Sequence, residues 1–130
     1  MVSPIHSNKN LCVYVDDTEM LGDVGKMLLE SVLGDDWEVV HILDAKDGMA
    51  AILAGTYKAN KIAMAILDHE MPDYTGVEIA QARRKLESEK NLPALPLYLH
   101  STKNDELSDF HHLFNRVIPK PMKLKDLNFN

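Results

Sequence analysis

The chain has a single cysteine in 130 residues, no excess of basic residues and no long uncharged apolar run. One thiol, Cys12, cannot close an intramolecular disulfide. Lying inside Leu11-Cys12-Val13-Tyr14-Val15, it reads as a buried thiol of an intracellular chain. Lys and Arg number 14 against 20 Asp and Glu, giving a net charge of −6. Phosphate-backbone binding needs clustered cations, so direct nucleic-acid contact is not expected. No stretch can cross a bilayer, and the polar start of the chain lacks an apolar signal segment, which points to a cytoplasmic location. With 45% hydrophobic and 26% charged residues, the composition is that of one ordinary globular domain with its own core.

Short apolar runs recur at Leu11–Val15, Trp37–Leu43, Ile62–Leu67, Leu95–His100 and Arg116–Ile118, and they read as five strands. Helical spacing fills the gaps between them. Met20, Val24, Met27, Leu28 and Ser31 to Val32 predict an amphipathic first helix, with Asp17 or Thr18 as its cap. Helices are also expected over Ala45–Tyr57 and Thr75–Lys90, with a shorter one over Asp105–Phe114 and a curtailed turn or two over Leu124–Phe129. Strands alternating with helices must pair in parallel, because a parallel neighbour cannot be reached by a tight turn. The expected class is therefore α/β, a doubly wound five-stranded parallel sheet. Burial on both faces explains why the strands are apolar throughout rather than alternating. Pro93 and Pro96 suit the approach to a strand, where a missing amide donor is tolerated.

Ligand sites of such sheets lie beyond the carboxyl ends of the strands. Asp16, Asp17, Asp68, Ser101 and Lys120 all fall there, although they span more than a hundred positions. Three carboxylates brought together repel one another and call for a cation, and oxygen-only ligands select a hard ion such as Mg²⁺ or Mn²⁺.

Four segments carry a family resemblance. Val15-Asp16-Asp17, the run Ile66-Leu67-Asp68-His69-Glu70-Met71-Pro72 followed by Gly76, Leu99-His100-Ser101-Thr102-Lys103, and Ile118-Pro119-Lys120-Pro121 resemble, in order, the conserved segments of response regulator receiver domains of two-component signalling, chemotaxis regulators among them. The resemblance implies a flavodoxin-like receiver fold with strand order 2-1-3-4-5, spanning residues 10–130 with a short final helix behind a polar lead at 1–9. It also implies a phosphoprotein of a phosphorelay, whose phosphoacceptor Asp68 takes a phosphoryl group from a histidine kinase or histidine phosphotransfer protein. Such a domain is a signalling module and not an enzyme beyond its own phosphoryl transfer and hydrolysis. Asp17, Asp68 and the backbone carbonyl of Glu70 are the implied metal ligands, with Asp16 acting through a water. Lys120 and Ser101 are the catalytic pair that meets the phosphoryl group, while Glu70, Thr102 and Lys103 flank the site. Output is a changed affinity for a downstream protein or an attached effector domain.

Plainer roles exist for each residue. Asp16 or Asp17 can cap a helix, Asp68 can end a strand in a turn, Ser101 and Thr102 can cap, and Lys120 can be a solvated lysine. His69 is expected to face away from Asp68 by strand alternation, and the adjacent His111 and His112 do not share a helix face. A pair between Glu70 and Lys103 is expected across the mouth of the site. Val117 stands where the resemblance leads one to expect an aromatic residue, which keeps a phosphorylation-independent interaction module as an alternative. A small aspartyl-phosphate hydrolase is a third reading, disfavoured by Glu70 where a second Asp is required.

Overall fold

Each expected apolar run contributes a strand, and the three central ones bury both of their faces while the edge strands are only partly buried. The computed structural model describes residues 9–103 and 105–129, so the expected polar lead lies outside the described residues except for Lys9, which is exposed. The strands are β1 (Asn10–Val15), β2 (Trp37–Ile42), β3 (Thr56–Tyr57), β4 (Asn60–Asp68), β5 (Leu97–Ser101) and β6 (Arg116–Pro119); the helices are α1 (Glu19–Leu33), α2 (Ala45–Ala54) and α3 (Gly76–Lys90). The order across the sheet is β2-β1-β4-β5-β6, with β3 paired to β4 alone. Every pairing along that path is parallel. With the two-residue β3 set aside, this is the expected order 2-1-3-4-5.

The core divides between the two faces of the sheet. Val13, Val15, Leu67 and Leu99 point one way, against Ile52 of α2 and Ile79 of α3. Cys12, Tyr14, Met64 and Ile66 point the other way, against Leu29 of α1. Cys12 is fully buried, which pushes its thiol pKa up to about 12. No helix among the described residues is long and apolar enough to cross a membrane.

Four elements differ from expectation. Helix α2 stops at Ala54 rather than Tyr57, because Gly55 adopts the left-handed conformation at φ 75° and ends it. The chain then folds back through Lys58 and Ala59, both at positive φ, as a primed hairpin turn requires. In α1 the apolar stripe is turned outward. Met20, Val24 and Met27 are exposed, and Gly22, Gly25 and Leu29 are buried. At Gly22 and Gly25 the helix lies so close to the sheet that an added Cβ would meet the His41 and Tyr14 rings, while Leu29 further along is buried in the core. Among the described residues between β5 and β6 there is no α-helix but a turn followed by a 3₁₀ segment, Ser108–Leu113. The larger rise per residue of a 3₁₀ segment suits a short crossover that must still deliver Leu107, Leu113 and Phe114 to the core. The final turn, Leu124–Asp126, is likewise 3₁₀; beyond it Phe129 meets the Tyr98 ring edge-on at 4.9 Å.

Candidate functional site

The carboxyl ends of β1, β4, β5 and β6 set Asp16 and Asp17, Asp68, Ser101 and Lys120 along one edge of the sheet. Asp68 is the last residue of β4 and is buried, 2% exposed. Its Oδ1 accepts the backbone amide of Glu70 at 3.2 Å and lies 2.5 Å from the Lys120 ammonium. The loop after it is folded tightly, with Met71 and Gly76 amides both donating to the His69 carbonyl. Thr75 and Glu78 close a reciprocal capping box at the start of α3. Gly76 is required by proximity, since a Cβ there would sit 2.8 Å from the Asp68 carbonyl oxygen.

One oxygen each of Asp16, Asp17 and Asp68 can be chosen so that all three lie within 4.8 Å of one another. Asp16 and Asp68 are buried and Asp17 is exposed. Burial raises the Asp68 carboxyl to about 6; the hydrogen bond and charge of Lys120 pull it down, while the charge of Asp16 pushes it further up. Two buried carboxylates facing one ammonium remain short of positive charge, and all donors are oxygen. That set fits a hard divalent cation such as Mg²⁺.

Ser101 is fully buried and its Oγ accepts the Lys103 amide at 2.9 Å. The Lys120-Pro121 peptide is cis. At the mouth of the site, Glu70 takes the hydroxyl of Thr102 at 3.1 Å. This corrects the expected Glu70 to Lys103 pair: no ion pair joins them among the described residues. The Glu70 carboxylate is instead engaged by the hydroxyl of Thr102, the residue before Lys103. His69 belongs to no metal-competent cluster among the described residues, and burial lowers its pKa.

Sequence reasoning passed over three residues behind the acidic group. Tyr14 donates its hydroxyl to Asp16 Oδ2 at 2.8 Å and touches His100 Nδ1 at 3.1 Å. His41 Nε2 donates to the Asp16 carbonyl at 2.7 Å, and its Nδ1 lies 3.6 Å from Asp23. Two glycines three apart within one helix were the available signal, because interior glycines cost helix stability and usually answer to packing.

No family model matches the sequence, and neither does any curated protein. Solved structures do match in shape. A CheY-like response regulator receiver domain from Methylobacillus flagellatus superposes with a TM-score of 0.70 at 19% identity, over 92% of this chain and 93% of that one. A CheY-like receiver domain protein from Methanospirillum hungatei gives 0.67 at 24% identity, over 92% and 87%. The receiver domain of a sensor histidine kinase from Pseudomonas aeruginosa, whose structure has a magnesium ion coordinated in the active site cleft, gives 0.68 at 16% identity, over 92% and 91%. The chain thus has the flavodoxin-like fold of response regulator receiver domains.

Proposed function

We propose that this chain is a phosphoacceptor receiver in which Asp68 takes a phosphoryl group from a phosphohistidine of a histidine kinase or phosphotransfer protein. The observation that carries the reading is the buried Asp68 carboxylate held by Lys120 beside Asp16 and Asp17. The likeness to receiver folds supports it. In the transfer, an Asp68 oxygen attacks phosphorus as the phosphorus–nitrogen bond of the donor breaks, the bonding pair leaving with the imidazole nitrogen. Asp17, Asp68 and the Glu70 carbonyl would hold Mg²⁺ or Mn²⁺, with Asp16 acting through a water, and the ion would supply charge neutralisation at the transferring phosphoryl.

Lys120 is placed to pass from the carboxylate to a phosphoryl oxygen. The Ser101 hydroxyl hydrogen is free to donate to another, since its oxygen is the atom engaged with Lys103. A shift of Ser101 would move the loop that carries Thr102 and Lys103, and with it the surface offered to a downstream protein or attached effector.

Acetyl phosphate with Mg²⁺ tests this reading directly. Wild type should acquire one acid-stable, base-labile phosphoryl group and Asp68→Asn none; labelling of both, or of neither, overturns it. A second reading rests on Val117, which is half-buried and too small to swing between buried and exposed positions as an aromatic residue can. On that reading the domain binds partners without phosphorylation. Partner affinity that is unchanged by labelling would favour it.

A further inference from the structure

Asp16 is held at every oxygen it has. Its Oδ1 accepts the Thr18 amide at 2.9 Å, its Oδ2 accepts the Tyr14 hydroxyl at 2.8 Å, and its carbonyl accepts His41 Nε2 at 2.7 Å. Its neighbour Asp17 is exposed. Asp16 is thus held at both carboxylate oxygens, whereas the Glu70 amide and Lys120 meet Asp68 at Oδ1, and Tyr14 is the side chain that holds Asp16.

The hydrogen bonds around Tyr14 can be assigned by counting protons. A phenol has one hydroxyl hydrogen, and an ionised carboxylate only accepts, so that hydrogen lies toward Asp16. The 3.1 Å contact with His100 must then run from imidazole to phenol, with Nδ1–H of His100 donating to the tyrosine oxygen. Nδ1 of His100 therefore carries a hydrogen, and because burial lowers the pKa of this ring to about 4 it is neutral near pH 7, leaving a lone pair on Nε2. That agrees with Nε2 being buried without a hydrogen-bond partner among the described residues. A donor entering the phenol oxygen polarises its O–H and strengthens the bond to Asp16.

The fold makes room for this arrangement at a cost. A Cβ on Gly25 would lie 2.4 Å from Tyr14 Cε2, and one on Gly22 would lie 1.9 Å from His41 Cε1. The Tyr14 ring centroid stands 5.7 Å from that of His41 and 6.0 Å from that of His100. Two helix-weakening glycines thus admit the two rings that grip Asp16.

We infer that Tyr14, backed by His100, is a positioning residue that fixes the Asp16 carboxylate for the divalent cation of the site. The inference rests on the phosphoacceptor reading above. Residues that orient metal-site groups from behind commonly contribute ten- to a hundredfold in metal affinity.

The test is Mg²⁺ affinity by calorimetry together with the His100 tautomer by ¹⁵N NMR, on wild type and Tyr14→Phe. Phenylalanine keeps the ring and its fit against Gly25. Wild type should bind Mg²⁺ and show Nε2 of His100 unprotonated. Tyr14→Phe should bind about tenfold more weakly, with the His100 tautomers mixed. His100→Asn, which leaves Tyr14 in place, should weaken binding by less and serves as the test should Tyr14→Phe fail to fold. Equal Mg²⁺ affinity in wild type and the folded variants, or Nε2 protonated in wild type, overturns the inference alone. Absence of Mg²⁺ binding by wild type overturns the phosphoacceptor reading, and this inference with it.

Discussion

Lys120 and the Glu70 amide meet the same oxygen of Asp68, the ammonium at 2.5 Å and the amide at 3.2 Å. Even so, the Asp68 carboxyl stands at about 6, above its ordinary value, because burial outweighs both partners. Lys120 is therefore what keeps the carboxylate ionised near neutral pH. Lys120→Met should raise the Asp68 pKa further, by about one unit or more. The rise is measurable as a carboxyl ¹³C titration in metal-free protein. The pH at which acetyl phosphate labelling reaches half its maximum should rise with it, and a labelling profile at the wild-type midpoint would refute the assignment.

Two buried groups bias stability in opposite directions over nearly the same pH range. The folded-state pKa of Asp68 is raised from 3.8 to about 6, so this group favours the folded state below pH 3.8 and loses that contribution as pH rises through 6. His100 is lowered from 6.5 to about 4, chiefly by burial and then by Lys120, against the opposing charges of Asp16 and Asp126. Its contribution is present above pH 6.5 and is lost as pH falls through 4. The shifts correspond to at most about 3 kcal/mol for Asp68 and about 3 to 4 kcal/mol for His100. Because they oppose, the metal-free wild type should show a shallow dependence between pH 4 and 6.5. Asp68→Asn removes one side of the balance. It should be more stable than wild type at pH 7.5, and its melting temperature should fall more steeply on acidification. Parallel curves for the two proteins would count against the opposition.

Gly25 reverses the usual rule for helices. Alanine in place of an interior glycine ordinarily stabilises a helix by about 1 kcal/mol. Here the added methyl meets the Tyr14 ring at 2.4 Å, and at Gly22 it meets the His41 ring at 1.9 Å. Overpacking of this kind costs about 1–3 kcal/mol. Gly25→Ala and Gly22→Ala should both lower stability in urea melts. Gly25→Ala combined with Tyr14→Leu, which vacates the ring, should recover part of the loss, whereas Gly25→Ala with Tyr14→Phe should not.

What was legible in the sequence was whatever depends on near neighbours. The apolar runs ending in Asp16, Asp68 and Ser101 announced buried parallel strands and the edge they feed, because a strand's burial is written in its own residues. The inner face of α1 was hidden. Glycine carries no hydropathy signal, so Met20, Val24 and Met27 supplied the only visible stripe, and they face outward. Tyr14 and His100 were hidden for a different reason, since each sits among apolar neighbours and its partner lies 86 positions away. Between β5 and β6 the sequence predicts a short helix over Asp105–Phe114, and the six residues that wind there, Ser108–Leu113, are too few to favour α over 3₁₀ geometry. Gly55 in the left-handed conformation ends α2 three residues short of the expected Tyr57, because a terminating glycine leaves no mark on apolar spacing.

On the proposed phosphoacceptor reading, the Thr102 hydroxyl on Glu70 would set how long an aspartyl phosphate lasts. Both residues are exposed at the mouth of the site, so the bond ties the Glu70 carboxylate to the β5 loop and limits how far it reaches over Asp68. Removing the hydroxyl with Thr102→Val frees that carboxylate to swing over the site and orient attacking water. Dephosphorylation should then quicken by about threefold, the scale of a modest coupling between neighbouring exposed groups. Glu70→Gln removes the charge itself and should slow decay. The double variant should behave like Glu70→Gln, because the threonine acts only through the carboxylate. Lys103→Glu, with no ion pair to Glu70 to break, should change decay less than either. Release of inorganic phosphate from the labelled proteins measures all five rates, and a double variant that decays as fast as Thr102→Val would show that the threonine works by another route.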